Sequence, residues 1–241
     1  MVLNSIWIAG AGRAYTKFNK RRGGGRMEME KKPYRTLLKA ASDEFIVHKS
    51  RFIGYGRPCE TEEEALSFLS EKRAEHKDAS HNCYAYIIGA NMGIMRYSDD
   101  GEPGGTAGMP IIEVLKAKKL TNCAVVVTRY FGGILLGAGG LVRAYSQGAA
   151  AAVNACGIGT VYPTARYMIE VGYPMLSRMD YFLKTEPIQL EEKQFMDVVL
   201  YTLIIRVQDE AGFLARLTDF SQGTLFPLRC EEIYHPWAEA S

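Results

Sequence analysis

The sequence predicts an α+β protein with two domains. Its 241 residues, of which 47% are apolar, suffice for one large domain or two small ones. Short β-branched runs alternate along the chain with amphipathic or alanine-rich segments, which predicts strands mixed with helices. The order of these segments changes after Pro163. We therefore place a first domain at residues 27–162 and a second at residues 163–241.

The first 26 residues differ in composition from the rest of the chain. They contain six basic residues and no acidic one, and residues 20–26 are arginine- and glycine-rich. We expect residues 1–26 to be a disordered basic extension translated from a mistaken start, with the native chain beginning at Met27 or Met29. A mitochondrial transit peptide and a basic arm for RNA are the alternatives.

The charge of the remaining chain limits how it can bind nucleic acid. Without the extension, 23 basic residues stand against 27 acidic ones, a net charge of −4. Phosphate contacts supply most of the affinity for nucleic acid. Any RNA binding would therefore depend on a local patch and on few phosphate contacts.

The elements of the first domain follow from periodicity and capping signals. Residues 45–57 alternate and predict a bent strand or hairpin. Thr61 followed by three glutamates predicts the start of a helix that ends near His76. Strands are predicted at residues 82–90, 94–97 and 123–127, and helices at residues 106–120 and 141–155. The last helix is rich in small residues and is expected to pack tightly on a sheet.

The second domain has a different order of elements. Strands are predicted at residues 166–171, 188–194, 198–207 and about 225–234, and helices at residues 175–183 and 211–220. The order β-α-β-β-α-β is typical of a ferredoxin-like domain. We find no catalytic constellation in it, and a docking surface for a protein partner is an alternative role for this domain.

Residues 98–145 are the most informative stretch of the chain. They contain nine of its 24 glycines, and glycine weakens helices and strands, so this density needs a backbone reason. Residues 137–140 precede a predicted helix, where free N–H groups and bare backbone form an anion site. The alternative is that these glycines only let the helix approach the sheet. The candidate residues of this loop are Gly132, Gly133, Gly137, Gly139, Gly140 and the basic Arg143.

Arg129 follows the predicted buried strand and should emerge at its end. Tyr130 and Phe131 come next, and a guanidinium beside aromatic rings suits a phosphate, a base or a carboxylate. The alternative is that Arg129 caps a carbonyl or pairs with Asp99 or Asp100.

Three carboxylates, Asp99, Asp100 and Glu102, cluster before a Pro-Gly-Gly turn that leads to Thr106. Carboxylates of this kind can hold Mg²⁺, pair with Arg129, or accept backbone N–H bonds in the turn. We favour the last two and expect all four residues to shape the loop.

The sequence favours neither a metal site nor a thiol catalyst. His81 and Cys83 share one face of a predicted strand, so their side chains point the same way without meeting. The remaining histidines are isolated, and the five cysteines are scattered, which indicates reduced thiols in a cytoplasm. No cofactor and no membrane span are predicted.

Three stretches of the first domain resemble the IMPACT family. They are Ser-Asp-Asp-Gly-Glu-Pro-Gly-Gly-Thr-Ala-Gly at 98–108, Gly-Met-Pro-Ile-Ile at 108–112, and the run from Val126 through Thr-Arg-Tyr-Phe-Gly-Gly to Gly137. Residues 139–145 also fit. The second domain resembles the extra domain of the bacterial, YigZ-like branch, so that the resemblance covers about residues 33–237.

The resemblance carries implications for fold and function. It implies a first domain with a βαβ fold shared with a small-subunit ribosomal protein domain and the GHMP kinases. It implies a second domain similar to late domains of elongation factor G. Eukaryotic relatives regulate translation through a protein that controls an initiation-factor kinase.

The resulting expectation is a non-enzymatic, cytoplasmic regulator of translation that binds RNA, the ribosome or translation factors. Its expected contact surface comprises Arg129, Tyr130, Phe131, Gly132, Gly133, Gly137, Gly139, Gly140 and Arg143. One alternative is a phosphate- or nucleotide-binding hydrolase or transferase that uses the loop at 137–140. Another is a protein-interaction module that docks through the second domain.

Overall fold

A computed structural model describes residues 32–239, which contain ten β-strands and five α-helices in two five-stranded sheets. The strands are β1 (Tyr34–Leu37), β2 (Ala41–Val47), β3 (Ser50–Pro58), β4 (His81–Ile88), β5 (Ile94–Ser98), β6 (Cys123–Tyr130), β7 (Ile158–Val171), β8 (Ile188–Phe195), β9 (Val199–Arg206) and β10 (Leu228–Ala238). The helices are α1 (Glu62–Glu75), α2 (Gly108–Ala117), α3 (Gly137–Cys156), α4 (Leu176–Lys184) and α5 (Val207–Ser221).

Most predicted elements of the first domain are present. The hairpin is β2 and β3, and α1 begins after Thr61, whose side chain accepts a hydrogen bond from the Glu64 N–H. No helix among residues 32–239 is long and apolar enough to cross a bilayer. The predictions for residues 1–26 and for a start at Met27 or Met29 lie outside the described residues.

The first sheet has the strand order β2-β3-β6-β4-β5, with antiparallel neighbours throughout. Because β3 and β4 both run antiparallel to β6, they run parallel to each other, and α1 connects them as a split βαβ unit. Along β6, Val125 and Val127 belong to the core under α2 and α3, whereas Ala124 and Val126 belong to the core under α1. This strand is buried on both faces, which explains its continuous apolar sequence.

Helix α3 packs closely on this sheet, as its small residues predicted. A Cβ atom on Gly54 of β3 would lie 2.2 Å from the carbonyl oxygen of Gly148 in α3. Ala144, Ala149 and Ala152 of α3 are fully or almost fully buried. The small side chains therefore bring the α3 backbone into contact with the sheet, which fixes the position of the helix start.

The second sheet has the antiparallel order β10-β7-β9-β8, and β1 also pairs with β7. From β7 onward the elements follow the predicted order β-α-β-β-α-β. Its core includes Tyr167, Tyr201 and Phe213, packed against α4 and α5. The predicted boundary between residues 162 and 163 falls inside β7. The first residues of that strand pair with β1 and its last residues pair with β9.

Two element boundaries differ from the predictions in ways that matter for the site. β6 continues through Arg129 to Tyr130, because Arg129 pairs with Phe52 on one side and His81 on the other. The expectation that Arg129 lies beyond the strand was wrong. α3 begins at Gly137 rather than at residue 141, because tertiary packing overrides the low helix propensity of its glycines.

Candidate functional site

A cavity of about 450 Å³ opens near the end of β6, between residues 99–106, which we call the acidic loop, and the start of α3. Its polar wall includes His81, Glu102 and Arg129. Phe131 and Leu135 lie at its apolar side and are 48% and 85% exposed. Gly137 and Ala138 bring the first turn of α3 to the cavity.

Arg129 forms a buried ion pair with Glu102. Its Nη1 lies 2.7 Å from Glu102 Oε1, and the two side chains are only 6% and 3% exposed. The guanidinium lies near the rings of Phe52 and Phe131, at 5.5 and 5.4 Å from their centroids. The interpretation of Arg129 as a partner of the acidic loop therefore applies, with Glu102 as the partner rather than Asp99 or Asp100.

One nitrogen of this buried guanidinium lacks a partner. Nη2 lies 3.5 Å from the Ser50 hydroxyl oxygen, and Nε has no hydrogen-bond acceptor. Among the described residues, Nε is the only buried side-chain nitrogen or oxygen without a hydrogen-bond partner. Such a donor is costly to leave unpaired.

The two carboxylate oxygens of Glu102 differ in their partners among residues 32–239. Tyr145 of α3 donates its hydroxyl to Oε1 at 2.7 Å, and burial raises the pKa of Tyr145, so this phenol remains a donor. Oε1 is thus engaged by Arg129 and Tyr145 together. Within residues 32–239, Oε2 has no hydrogen bond, and Glu102 lines the cavity.

His81 presents a second acceptor beside it. Its Nδ1 lies 2.8 Å from the backbone carbonyl oxygen of Asp100. A carbonyl can only accept, so Nδ1 carries the hydrogen, and Nε2 of the neutral ring is an acceptor. Nε2 lies 3.9 Å from Glu102 Oε1 at the cavity wall.

The carboxylates of the acidic loop accept hydrogen bonds from its own backbone and from neighbouring elements. Asp99 accepts hydrogen bonds from the backbone N–H groups of Gly105, Ala107 and Gly108 at the start of α2. Burial acts to raise the pKa of Asp99, but these three donors outweigh it and hold the pKa below its ordinary value. Thr106 donates its hydroxyl to the carbonyl oxygen of Pro103.

Asp100 is also occupied by protein donors. Its carboxylate accepts the Asn82 N–H at 2.7 Å and the Arg73 guanidinium at 3.1 Å. Among the residues that the structure describes, no three His, Cys, Asp or Glu side chains are grouped to hold a metal ion. The acidic loop therefore uses Asp99, Asp100 and Glu102 for backbone capping and ion pairing.

The glycines near the cavity have different structural reasons. Gly133 and Gly137 have positive φ angles of 83° and 68°. A Cβ on Gly132 would lie 2.0 Å from the backbone of Lys49. A Cβ on Gly140 would lie 3.1 Å from Leu136 Cβ. Gly139 has neither constraint, because no atom of residues 32–239 lies within 4 Å of its Cβ position, apart from its chain neighbours and the backbone of its own helix. Internal packing therefore does not explain why residue 139 is a glycine.

The start of α3 leaves backbone donors available. This 20-residue helix begins without a side-chain cap, and Gly137 and Ala138 line the cavity. The first N–H groups of a helix have no acceptor inside the helix and carry the positive end of its dipole. The structure thus places uncapped donors beside the acceptors of Glu102 and His81.

The structure brings together some predicted site residues and separates others. Arg129, Phe131, Gly137 and Glu102 line one cavity, whereas the other predicted glycines and Arg143 do not line it. Tyr130 points to the opposite face of the sheet, as alternation in a strand requires. Its hydroxyl lies 2.9 Å from His76 Nδ1.

Sequence reasoning missed His81 and Tyr145 as members of this site. It considered His81 only together with Cys83. Burial raises the pKa of the Cys83 thiol, which donates to the carbonyl oxygen of Asp99 and is not a poised nucleophile. No local pattern pointed to His81, because its side chain shares a face with Arg129 only through their pairing across β4 and β6.

Comparisons with known proteins agree with this architecture. Residues 48–153 match the model of the Impact N-terminal domain, and residues 169–224 match a domain of unknown function, DUF1949. A solved structure titled "Crystal structure of an hypothetical protein" is 33% identical and has a TM-score of 0.53. The match covers 83% of this chain and 98% of that one.

Curated relatives are similar over most of the chain. IMPACT family member YvyE of Bacillus subtilis is 36% identical over 190 residues, which cover 79% of this chain and 88% of the relative. IMPACT family member YigZ of Escherichia coli is 36% identical over 188 residues, which cover 77% and 92%. The chain therefore belongs to the IMPACT family and is YigZ-like.

Proposed function

We propose that this protein is a non-enzymatic, cytoplasmic regulator of translation that binds single-stranded RNA, either free or exposed on the ribosome. The observation that carries the proposal is the half-exposed Phe131 ring at a cavity beside the uncapped start of α3. A ring of this kind offers a stacking surface for a base, and the helix start offers donors for a phosphate.

The cavity has the dimensions and the lining that such a contact needs. Its volume of about 450 Å³ lies within the usual range of small-molecule sites, roughly 300–1,000 Å³. Phe131 and Leu135 supply apolar surface, and a few polar groups converge from one side. This arrangement suits one nucleotide of an RNA strand.

The charge of the chain predicts how the contact responds to salt. Outside the extension the net charge is −4, and Arg129 is already neutralised by Glu102. Few phosphates would be neutralised on binding, and the salt dependence of affinity scales with their number. We expect a shallow salt dependence and a large share of stacking in the affinity.

The fold and the family are consistent with a role in translation. The split βαβ unit around β6 supports a likeness to the ribosomal-protein and GHMP-kinase fold. The strand order β10-β7-β9-β8 supports a ferredoxin-like second domain similar to late domains of elongation factor G. The eukaryotic relatives implied by the resemblance regulate translation. The buried free thiols of Cys59, Cys83, Cys123 and Cys156 support a reducing, cytoplasmic location.

The second candidate function is a protein-interaction module. Tyr181 and Phe226 in the second domain are 73% and 72% exposed, and exposed apolar surface of this kind marks binding sites when it is contiguous. The cavity near Phe131 offers both stacking and donor groups, so we place RNA binding first.

Fluorescence titration of single-stranded RNA at several salt concentrations tests the proposal. Phe131→Ala should weaken binding about fivefold or more, because stacking contributes roughly 1–3 kcal/mol per base. Tyr181→Ala, which removes an exposed ring far along the chain in α4, is the matched control and should bind as the wild type does. All variants carry the same basic extension, so any RNA binding by residues 1–26 contributes equally to each measured affinity.

The outcomes separate the candidates. Equal RNA affinity of the Phe131→Ala and Tyr181→Ala variants would show that RNA does not bind at the cavity. If no RNA binds below millimolar concentration even at low salt, the RNA proposal fails and the protein-interaction module leads. Turnover of nucleoside phosphates with Mg²⁺ would favour the hydrolase or transferase alternative.

A further inference from the structure

We propose that the cavity is selective for guanine, with Glu102 and His81 as acceptors for the N–H groups of the base edge. The inference rests on the proposed RNA contact and adds to it a residue-specific base preference. Two groups of observations carry it, namely the acceptors on the polar wall and the unpaired donors beside them.

The acceptors lie together on the polar wall of the cavity. Glu102 is 3% exposed and its Oε1 is held by Arg129 and Tyr145, which fixes the carboxylate while Oε2 stays without a hydrogen bond among residues 32–239. His81 is fixed by its bond to the Asp100 carbonyl, and in the neutral ring its Nε2, 3.9 Å from Glu102 Oε1, is an acceptor. Both acceptors are preorganised by contacts within the protein.

The donors lie beside these acceptors. The first N–H groups of α3 are uncapped, and Gly137 and Ala138 of this first turn line the cavity. These groups attract a ligand oxygen, such as a base carbonyl or a phosphate.

Guanine matches this pattern better than the other bases. Its Watson–Crick edge places an N–H and an amino group side by side, with a carbonyl oxygen next to them. Proteins read unpaired bases through hydrogen bonds to this edge. Uracil has one N–H between two carbonyl oxygens, which would face the Glu102 carboxylate. That repulsion disfavours uracil in addition to the lost hydrogen bond.

Short oligouridylates that differ in one central base provide the test with the wild-type, full-length protein. The central base is guanine, inosine, adenine, cytosine or uracil. We expect the guanine oligomer to bind about tenfold more tightly than the all-uracil one, since hydrogen bonds to a charged group are the stronger kind. Inosine lacks only the amino group, so it should lose part of that preference.

Protein variants assign the preference to Glu102. Glu102→Gln keeps the shape but replaces one carboxylate oxygen by a donor, so the ratio of guanine-oligomer to all-uracil-oligomer affinity should fall to about one. Glu113→Gln, an exposed carboxylate on α2, is the control and should keep the preference. The oligomer series on the wild-type protein decides the inference even if Glu102→Gln fails to fold.

Each outcome bears on one of the two proposals. RNA binding with equal affinity for all five oligomers, or with a preference for uracil, overturns the guanine inference and leaves the RNA contact standing. Persistence of the guanine preference in a folded Glu102→Gln variant also overturns it. No binding of any oligomer overturns both.

Discussion

The replacement Arg129→Ala tests the central structural claim about the site. The Arg129 guanidinium donates to Glu102 Oε1 at 2.7 Å, and both side chains are more than nine-tenths buried. Removing Arg129 leaves the Glu102 carboxylate in the same place with Tyr145 as its remaining donor. We expect a large loss of stability from this single change.

The magnitude follows from the burial of the pair. Breaking a buried ion pair by removing one partner costs about 3–5 kcal/mol, because the other charge stays buried without compensation. For a protein of this size a change of 1 kcal/mol moves the melting temperature by about 2–4 °C. The Arg129→Ala variant should therefore melt roughly 6–20 °C below the wild type.

Thermal unfolding followed by circular dichroism at neutral pH measures this shift. Arg143→Ala is the matched control, because Arg143 is exposed on α3 and should change stability by no more than about 0.5 kcal/mol. An Arg129→Ala variant that melts within a degree of the wild type would refute the buried-pair reasoning. Arg129 would then be free for a ligand, as the sequence first suggested.

Two further changes probe the helix starts at either side of the cavity. Gly139→Ala should stabilise the protein by up to about 1 kcal/mol, because alanine is the better helix former and its Cβ would meet no side chain among the described residues. RNA titration of this variant should show weaker binding if a ligand occupies the space beside residue 139, and unchanged binding would exclude a ligand there. Asp99→Ala removes the acceptor at the start of α2 and should cost about 0.5–2 kcal/mol at neutral pH by chemical denaturation. Because the pKa of Asp99 is lowered in the folded state, the stabilisation from its ionised form is complete above the unfolded value near 3.9 and is lost as the pH falls through the folded pKa. The stability difference between wild type and variant should therefore narrow in acid, and a constant difference would contradict the ionised cap.

Local patterns predicted most elements because their signals lie within a few residues. Thr61 and the glutamates after it define the start of α1, and the β-branched run of β6 shows its double-sided burial. The end of β6 could not be predicted in this way. Thr128 and Arg129 look like the start of a polar loop, and only their pairing with β3 and β4 keeps them in the strand.

The extension of β6 by three residues changes the assignment of the site. Once Arg129 and Tyr130 belong to the strand, alternation places them on opposite faces. The aromatic neighbour that accompanies Arg129 at the cavity is Phe131, and Tyr130 instead bonds to His76 on the other face. A hypothesis that grouped Arg129 with Tyr130 followed their adjacency in sequence, which a strand does not preserve in space.

The contacts that build the cavity are long-range and therefore invisible to local reasoning. Glu102 lies 27 residues before Arg129 and 43 residues before Tyr145, yet all three meet at one carboxylate oxygen. This pairing changes the role of the arginine. Since Arg129 is committed to Glu102, it is a poor candidate for an independent phosphate anchor. It instead holds one oxygen of a carboxylate whose residue lines the cavity. If the proposed contact is correct, ligand selectivity belongs to the groups that Arg129 positions, and the start of α3 supplies the anion site.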